Sequence, residues 1–158
     1  TVIGTIGSDF KAEYAKKNGC DYTINYKTED VVKVVKEITS NTGVAVVYDS
    51  VGKDTLTSSI KCLSPFGYLI GYGNASGIPD PIPPMMLAQH GSLFYTRPRL
   101  ADYCFKREDL LMSAESLFKF CNNLQVEIGN IFDLKNAKEA HDAISARKTL
   151  GSTILLTS

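Results

Sequence analysis

The chain has 158 residues, 44% of them hydrophobic, with 17 basic and 17 acidic side chains and a formal net charge of zero. Such a chain can bury a real core, and its balanced charge argues against the basic stripe of a nucleic-acid binder. No apolar run approaches the length of a membrane span, and the opening TVIGTIGS has neither the charged leader nor the cleavage pattern of a signal peptide, so a cytoplasmic protein without membrane association is expected.

The first segment, TVIGTI (1–6), is β-branched and almost wholly apolar, which predicts a strand buried on both faces. SDFKAEYAKKNG (8–19) reads as a helix with Phe10, Tyr14 and Ala15 on one face, Ser8 as its N-cap and Gly19 as its stop. YTINY (22–26) is a second strand. KTEDVVKVVKEITS (27–40) is a second helix, capped by Thr28, with Glu29 and Asp30 suiting its positive end and Val31, Val34, Val35 and Ile38 at helical spacing. VAVVYDS (44–50) is a third buried strand, KDTLTSSIKCL (53–63) a short helix and GYLIGYG (67–73) a fourth strand. This β-α-β-α-β-α-β order predicts an α/β fold, a Rossmann-like parallel sheet with helices on both faces.

The pattern loosens after Gly77. IPDPIPP (78–84) carries four of the six prolines and cannot hold regular structure. A short helix near Met85–His90 leads to the strand SLFYT (92–96). KREDLLMSAESLFKFCNNL (106–124) is the strongest helical pattern, with Leu110, Leu111, Ala114, Leu117, Phe118 and Cys121 on one face. VEIGNIFDL (126–134), NAKEAHDAISARK (136–148) and STILLT (152–157) read as strand, helix and strand. Two parts are expected, an α/β part over 1–124 and a strand-helix-strand part over 125–158.

Doubly wound sheets bind ligands beyond the carboxyl ends of their strands. Those ends are Gly7-Ser8, Tyr26, Asp49-Ser50-Val51-Gly52, Gly71-Tyr72-Gly73-Asn74 and Tyr95-Thr96-Arg97-Pro98. Lys11 stands where a capping glutamate would suit the helix dipole; a docked anion there reverses the sign of that interaction. A small residue with a nearby cation accommodates a 2′-phosphate, whereas an acid at this strand end favours the free 2′-hydroxyl. Asp9 is the dissenting residue, expected to point to solvent; a plain solvated helix start is the other reading. GYGNASG (71–77) is either a tight turn or a place where a cofactor approaches the backbone. Arg147-Lys148 ends a helix, either for the dipole or to bind an anion. The four cysteines, Cys20, Cys62, Cys104 and Cys121, form no CxxC, and His90 and His141 stand apart from them, so reduced thiols and no metal site are expected. Glu29-Asp30 and Glu108-Asp109 open helices, where dipole complementation rather than acid–base chemistry is expected.

VIGTIGSDFKAEYAKKNGCDYTINYKTED, VVYDSVGKDTL, YGNASG, GSLFYTRP and ARKTLGS together resemble the zinc-independent quinone oxidoreductases of the medium-chain dehydrogenase/reductase superfamily. The resemblance covers essentially the whole chain. It implies NADPH as cofactor, hydride transfer to a quinone, no catalytic zinc and a homodimer. By position it implies that Gly7, Ser8 and Lys11 surround the 2′-phosphate and that Tyr26 lies near the adenine ribose. Ser50, Val51 and Gly52 would line the adenosine side, and Gly73, Asn74 and Ala75 the nicotinamide half. Thr96, with Tyr95, would lie on the strand that helps build a dimer's shared sheet, and Arg147 near the cofactor. Members of the family are about twice this length and begin with a GroES-like barrel. The chain resembles their C-terminal half, lacking the first strand and Gly-rich loop: it contains no G-x-G-x-x-G or A-x-x-G-V-G after a strand. Little turnover is expected from it alone.

In a 3-2-1-4-5-6 sheet the absent strand is central. The strands at 1–6 and 45–49 then face each other with unpaired inner edges. Closure is expected by direct pairing, by insertion of STILLT, or by a partner's strand. The other functions considered are a non-catalytic oligomerising module without cofactor and a reductase of enals or enones.

Overall fold

The computed structural model describes residues 1–122 and 126–157. By compactness the chain divides into two units, Thr1–Tyr103 and Cys104–Ser158; the boundary expected between 124 and 125 lies outside the described residues.

In the first unit β1 (Ile3–Ile6) runs through a 3-10 turn (Asp9–Lys11) into α1 (Ala12–Lys17), followed by β2 (Tyr22–Asn25) and α2 (Val31–Ile38). β3 (Val44–Asp49), α3 (Leu56–Cys62) and β4 (Leu63–Gly71) come next, then α4 (Pro84–Gln89), β5 (Phe94–Thr96) and α5 (Leu100–Tyr103). β1 pairs with β2, and β3-β4-β5 form a second sheet, all parallel. The architecture is the expected Rossmann-like α/β arrangement of parallel strands and helices.

Local chemistry accounts for the helix ends. α1 stops in a Schellman turn: Cys20 N–H donates to Ala15 O (3.1 Å) and Gly19 N–H to Lys16 O (3.0 Å), with Gly19 at φ +100°. α2 is capped by Asp30, whose carboxylate accepts from Lys33 N–H at 3.0 Å. This corrects the assignment of the cap to Thr28, because α2 starts at Val31, directly after Asp30. Glu29 is also redirected. Its Oε2 accepts the Asn25 N–H at 2.8 Å, so it closes the end of β2 rather than serving the α2 dipole.

Two apolar clusters hold this unit. Ile24, Val35 and Cys62 form one, packed by Ile3, Val31, Val44 and Val47; Ile60, Leu63, Leu69 and Leu93 form the other, packed by Val44, Val47, Leu56, Ile82, Met86 and Leu87. Fully burying a side chain such as Ile24 or Leu69 contributes about 1.5–3 kcal/mol. The proline-rich segment thus supplies core contacts through Ile82 despite having no regular structure. Strands expected to be covered on both faces are not. Tyr48 is 73% exposed and Val46 40%, beside exposed Tyr68 and Phe94, whose rings stack at 4.7 Å. Val47 and Leu69 instead face the clusters formed with α2 and α3.

Among the described residues β1 pairs only with β2 and β3 only with β4. Neither direct pairing of β1 with β3 nor insertion of the last strand occurs. Ile3 of β1 and Val44 of β3 pack against one apolar cluster, so helix packing joins the two sheets without a backbone ladder.

The second unit contains α6 (Arg107–Cys121), β6 (Ile128–Asp133), a 3-10 turn (Leu134–Asn136), α7 (Ala137–Ser145) and β7 (Ser152–Leu156), with β6 and β7 parallel. None of the described side chains of α6 is buried: Leu110, Leu111, Leu117 and Phe118 are all exposed, so the expected shared face is uncovered in this chain.

Candidate functional site

Parallel pairing sets Ile6 beside Asn25 and brings the ends of β1 and β2 together, with Tyr26 N–H donating to Ile6 O at 3.1 Å. A Cβ on Gly7 would stand 2.5 Å from the Tyr26 hydroxyl, so only glycine lets the tyrosine ring lie across this strand end. Ser8 is extended and accepts the Lys11 N–H on its carbonyl at 3.0 Å, but its hydroxyl makes no cap bond. It opens a 3-10 turn, not the α-helix, which corrects its reading as a side-chain cap and puts Lys11 at the junction with α1. The Lys11 ammonium lies 5.7 Å from the centroid of the Phe10 ring. Asp9 is exposed, as expected, but it is also tied: its Oδ1 accepts from the Nδ2 of buried Asn25 at 2.8 Å, which holds the carboxylate at the end of β2.

The second group of strand ends is built around Asp49, which sequence reasoning placed in the turn without assigning it a task. Its carboxylate accepts from Val51 N–H (2.8 Å), Gly52 N–H (3.0 Å), the Thr55 hydroxyl (2.8 Å) and the Ser59 hydroxyl (2.7 Å). Burial pushes the Asp49 carboxyl up, but the donors from Gly52, Ser59, Thr55 and Val51 outweigh it and hold the group below its ordinary 3.8. The clue was present in the sequence: an aspartate at a strand end, a small-residue turn, then Thr55 and Ser59 four apart on one helix face.

That turn is laced to the loop after β4. Ala75 N–H donates to Ser50 O (3.2 Å), Ser76 N–H to Val51 O (2.8 Å) and Lys53 N–H to Gly77 O (3.2 Å). The Ser76 hydroxyl donates to Val51 O (2.9 Å) and accepts from Asp54 N–H (3.0 Å). Such close approach demands glycine. A Cβ on Gly73 would overlap the Ser50 carbonyl, and Gly52 sits at φ +89° with Gly77 O 2.8 Å from where its Cβ would be. Asn74 and Ala75 stay exposed, and Asn74 joins Asp49, Gly71, Gly73, Pro79 and Tyr95 in lining a small hollow. β5 ends at exposed Thr96, and the next residue, Arg97, donates from Nη1 to Gly71 O at 2.8 Å.

The fold thus brings Gly7, Ser8, Lys11 and Tyr26 to one set of strand ends, and Ser50, Val51, Gly52, Gly73, Asn74, Ala75 and Thr96 to another. Arg147 belongs to the second unit. It occupies the left-handed position after α7 (φ 56°), where its N–H donates to Ile144 O at 2.9 Å and Lys148 N–H donates to Ala143 O at 3.2 Å. That position ordinarily favours glycine. Among the described residues no three His, Cys, Asp or Glu side chains group as metal ligands, and no helix is long and apolar enough to cross a membrane.

Parallel strands whose carboxyl ends gather small residues, glycines and a lysine define an α/β fold of the nucleotide-binding kind. The profile of the zinc-binding dehydrogenase family matches residues 1–107, and the chain belongs to that family. It is 46% identical to a 2-haloacrylate reductase of Burkholderia over 99% of this chain and 48% of the relative. It is 42% identical to a quinone oxidoreductase of Pseudomonas aeruginosa over 98% of the chain and 48% of that enzyme. The solved quinone oxidoreductase of Escherichia coli in complex with NADPH superposes with a TM-score of 0.90 at 39% identity, covering 98% of this chain and 49% of that one. The chain therefore spans about half the length of the relatives it matches.

Proposed function

We propose that the chain is the cofactor-binding portion of an NADPH-dependent quinone oxidoreductase. The observation that carries this reading is the pairing of the Ser8–Lys11 turn with Tyr26 across Gly7. It is supported by similarity along nearly the whole chain to an enzyme solved with NADPH. Ser8 and Lys11 offer a hydroxyl and an ammonium to the 2′-phosphate, and Tyr26 a ring beside the adenine ribose. Ser50, Val51 and Gly52 line the adenosine side, while Gly73, Asn74 and Ala75 present exposed backbone and a side-chain amide to the nicotinamide half. Thr96 completes the set. The residues fit such a ligand: the cation and the hydroxyl suit a phosphate, and the glycine-bounded turns present backbone without Cβ atoms in the way.

Bound NADPH supplies the hydride; the chain's own residues bind and orient it. A second reading, reduction of an activated alkene such as a 2-haloacrylate, is favoured by the relative at 46% identity. The exposed strand β5, with Phe94 and Tyr95, is proposed as the contact of a homodimer in the cytoplasm. Fluorescence titration of the chain with NADPH and NADH tests the cofactor reading. NADPH is expected to bind more tightly, with Lys11→Ala lowering that preference by about tenfold. Tighter binding of NADH overturns the assignment of Ser8 and Lys11. Clean dimerisation with no binding of either nucleotide favours instead a non-catalytic oligomerising module.

A further inference from the structure

We infer that Asn25 sets cofactor preference by withholding the carboxylate of Asp9 from the nucleotide; this rests on the reading that a 2′-phosphate is held at Ser8 and Lys11. An acid at this place in the fold is the group that takes a free 2′-hydroxyl and repels a 2′-phosphate. Asp9 lies directly between Ser8 and the Phe10-Lys11 pair, so the sequence carries both a phosphate-seeking and a phosphate-repelling residue in one turn. The structure resolves the conflict through β2. Asn25 is 6% exposed, and its Nδ2 donates to Asp9 Oδ1 at 2.8 Å.

The direction of that bond is set by a second contact. The Lys27 N–H donates to Asn25 Oδ1 at 3.1 Å, and a backbone N–H can donate only to the amide oxygen. The amide nitrogen is thereby the atom turned toward Asp9. Asn25 is itself anchored by its backbone: its N–H donates to Glu29 Oε2 (2.8 Å), and its carbonyl accepts from Thr28 N–H (3.0 Å) and Glu29 N–H (2.9 Å). Asn25 is therefore a positioning residue, fixed on every side, whose spare donor pins the acid. Asp9 itself is exposed, but with one oxygen committed to Asn25 it is turned toward β2, which leaves Ser8 and Lys11 to meet the 2′-phosphate.

The test uses the 158-residue chain and compares the ratio of NADPH to NADH affinity by fluorescence titration, with circular dichroism to verify folding. Asn25→Asp keeps the acceptor for Lys27 N–H but replaces the donor by a second carboxylate, which expels Asp9 toward the nucleotide. The ratio is expected to fall by about tenfold or more. Adding Asp9→Asn to that variant restores the hydrogen bond with its polarity reversed and the original number of charges, and is expected to recover most of the lost preference. Asp9→Asn alone is expected to change the ratio by less than about threefold, since the acid is already withheld. An unchanged ratio in Asn25→Asp, or no recovery in the double variant, overturns the inference while leaving the NADPH reading standing. If Asn25→Asp does not fold, Asp9→Asn decides: a rise in the ratio of about tenfold or more means that Asp9 already faces the nucleotide, and overturns it, whereas a small change supports it. A wild-type chain that binds neither nucleotide, or prefers NADH, overturns the parent reading and this inference with it.

Discussion

Removing the Asp49 carboxylate is the most incisive perturbation of the candidate site. In Asp49→Ala four donors lose their acceptor: the N–H groups of Val51 and Gly52 and the hydroxyls of Thr55 and Ser59. Gly52 and Ser59 are buried, and each buried donor left unmade costs about 1–3 kcal/mol. Relaxation and water entry spare the half-buried pair, which gives a total near 4 kcal/mol, a large share of the roughly 5–15 kcal/mol that holds a domain together. Asp49→Asn keeps one acceptor oxygen for the two backbone donors and is expected to lose about half as much. Urea unfolding followed by far-UV circular dichroism measures both, the chain having no tryptophan to follow. The pH dependence has a definite sign. Because the folded carboxyl titrates below its ordinary 3.8, its contribution is complete above that value and is lost as the pH falls through the folded value. The stability gap between wild type and Asp49→Asn is thus flat from neutrality down to weak acid and closes in stronger acid. A loss under about 1 kcal/mol in Asp49→Ala, or a gap that widens on acidification, refutes the account of Asp49 as the organiser of the turn.

Gly73→Ala is expected to separate the two loops, because its Cβ would overlap the Ser50 carbonyl; hydrogen exchange at Ala75 and Ser76 N–H should accelerate, with a loss of about 2 kcal/mol or more in urea unfolding. Gly52→Ala adds a left-handed backbone to a Gly77 O contact and is expected to lose at least as much. Asp30→Ala is expected to cost about 1 kcal/mol as a lost helix cap, whereas Thr28→Ala changes stability by under about 0.5 kcal/mol; thermal unfolding of the pair separates them.

Much of the fold was legible in the chain. The alternation of β-branched runs with 3.6-period segments is a local property, so β1 to β4 and α1 to α3 fall close to where the pattern predicts them. Strand ends follow once the strands are known, which is why Ser8, Lys11, Tyr26 and the glycine-bounded turns could be named in advance as candidates. Their cofactor roles stand as the proposal above. What escaped the sequence were contacts between residues distant along it. Asp9 is exposed as read, but nothing near it in the chain shows that Asn25, sixteen positions away, donates to its carboxylate. Ser76 reads as an ordinary turn residue until it is found twenty-five positions from its acceptor, Val51 O. Burial misled in the opposite direction: an apolar strand announces that it can be covered, not that a covering element is there, and Tyr48 lies 73% exposed. Local spacing thus determined the elements, their order and the chemistry available at their ends, because those depend on neighbours within a few residues. Only the tertiary structure decided which carboxylate is buried, which is tied back and which strand edges stay unpaired, because those depend on donors and faces brought together by packing.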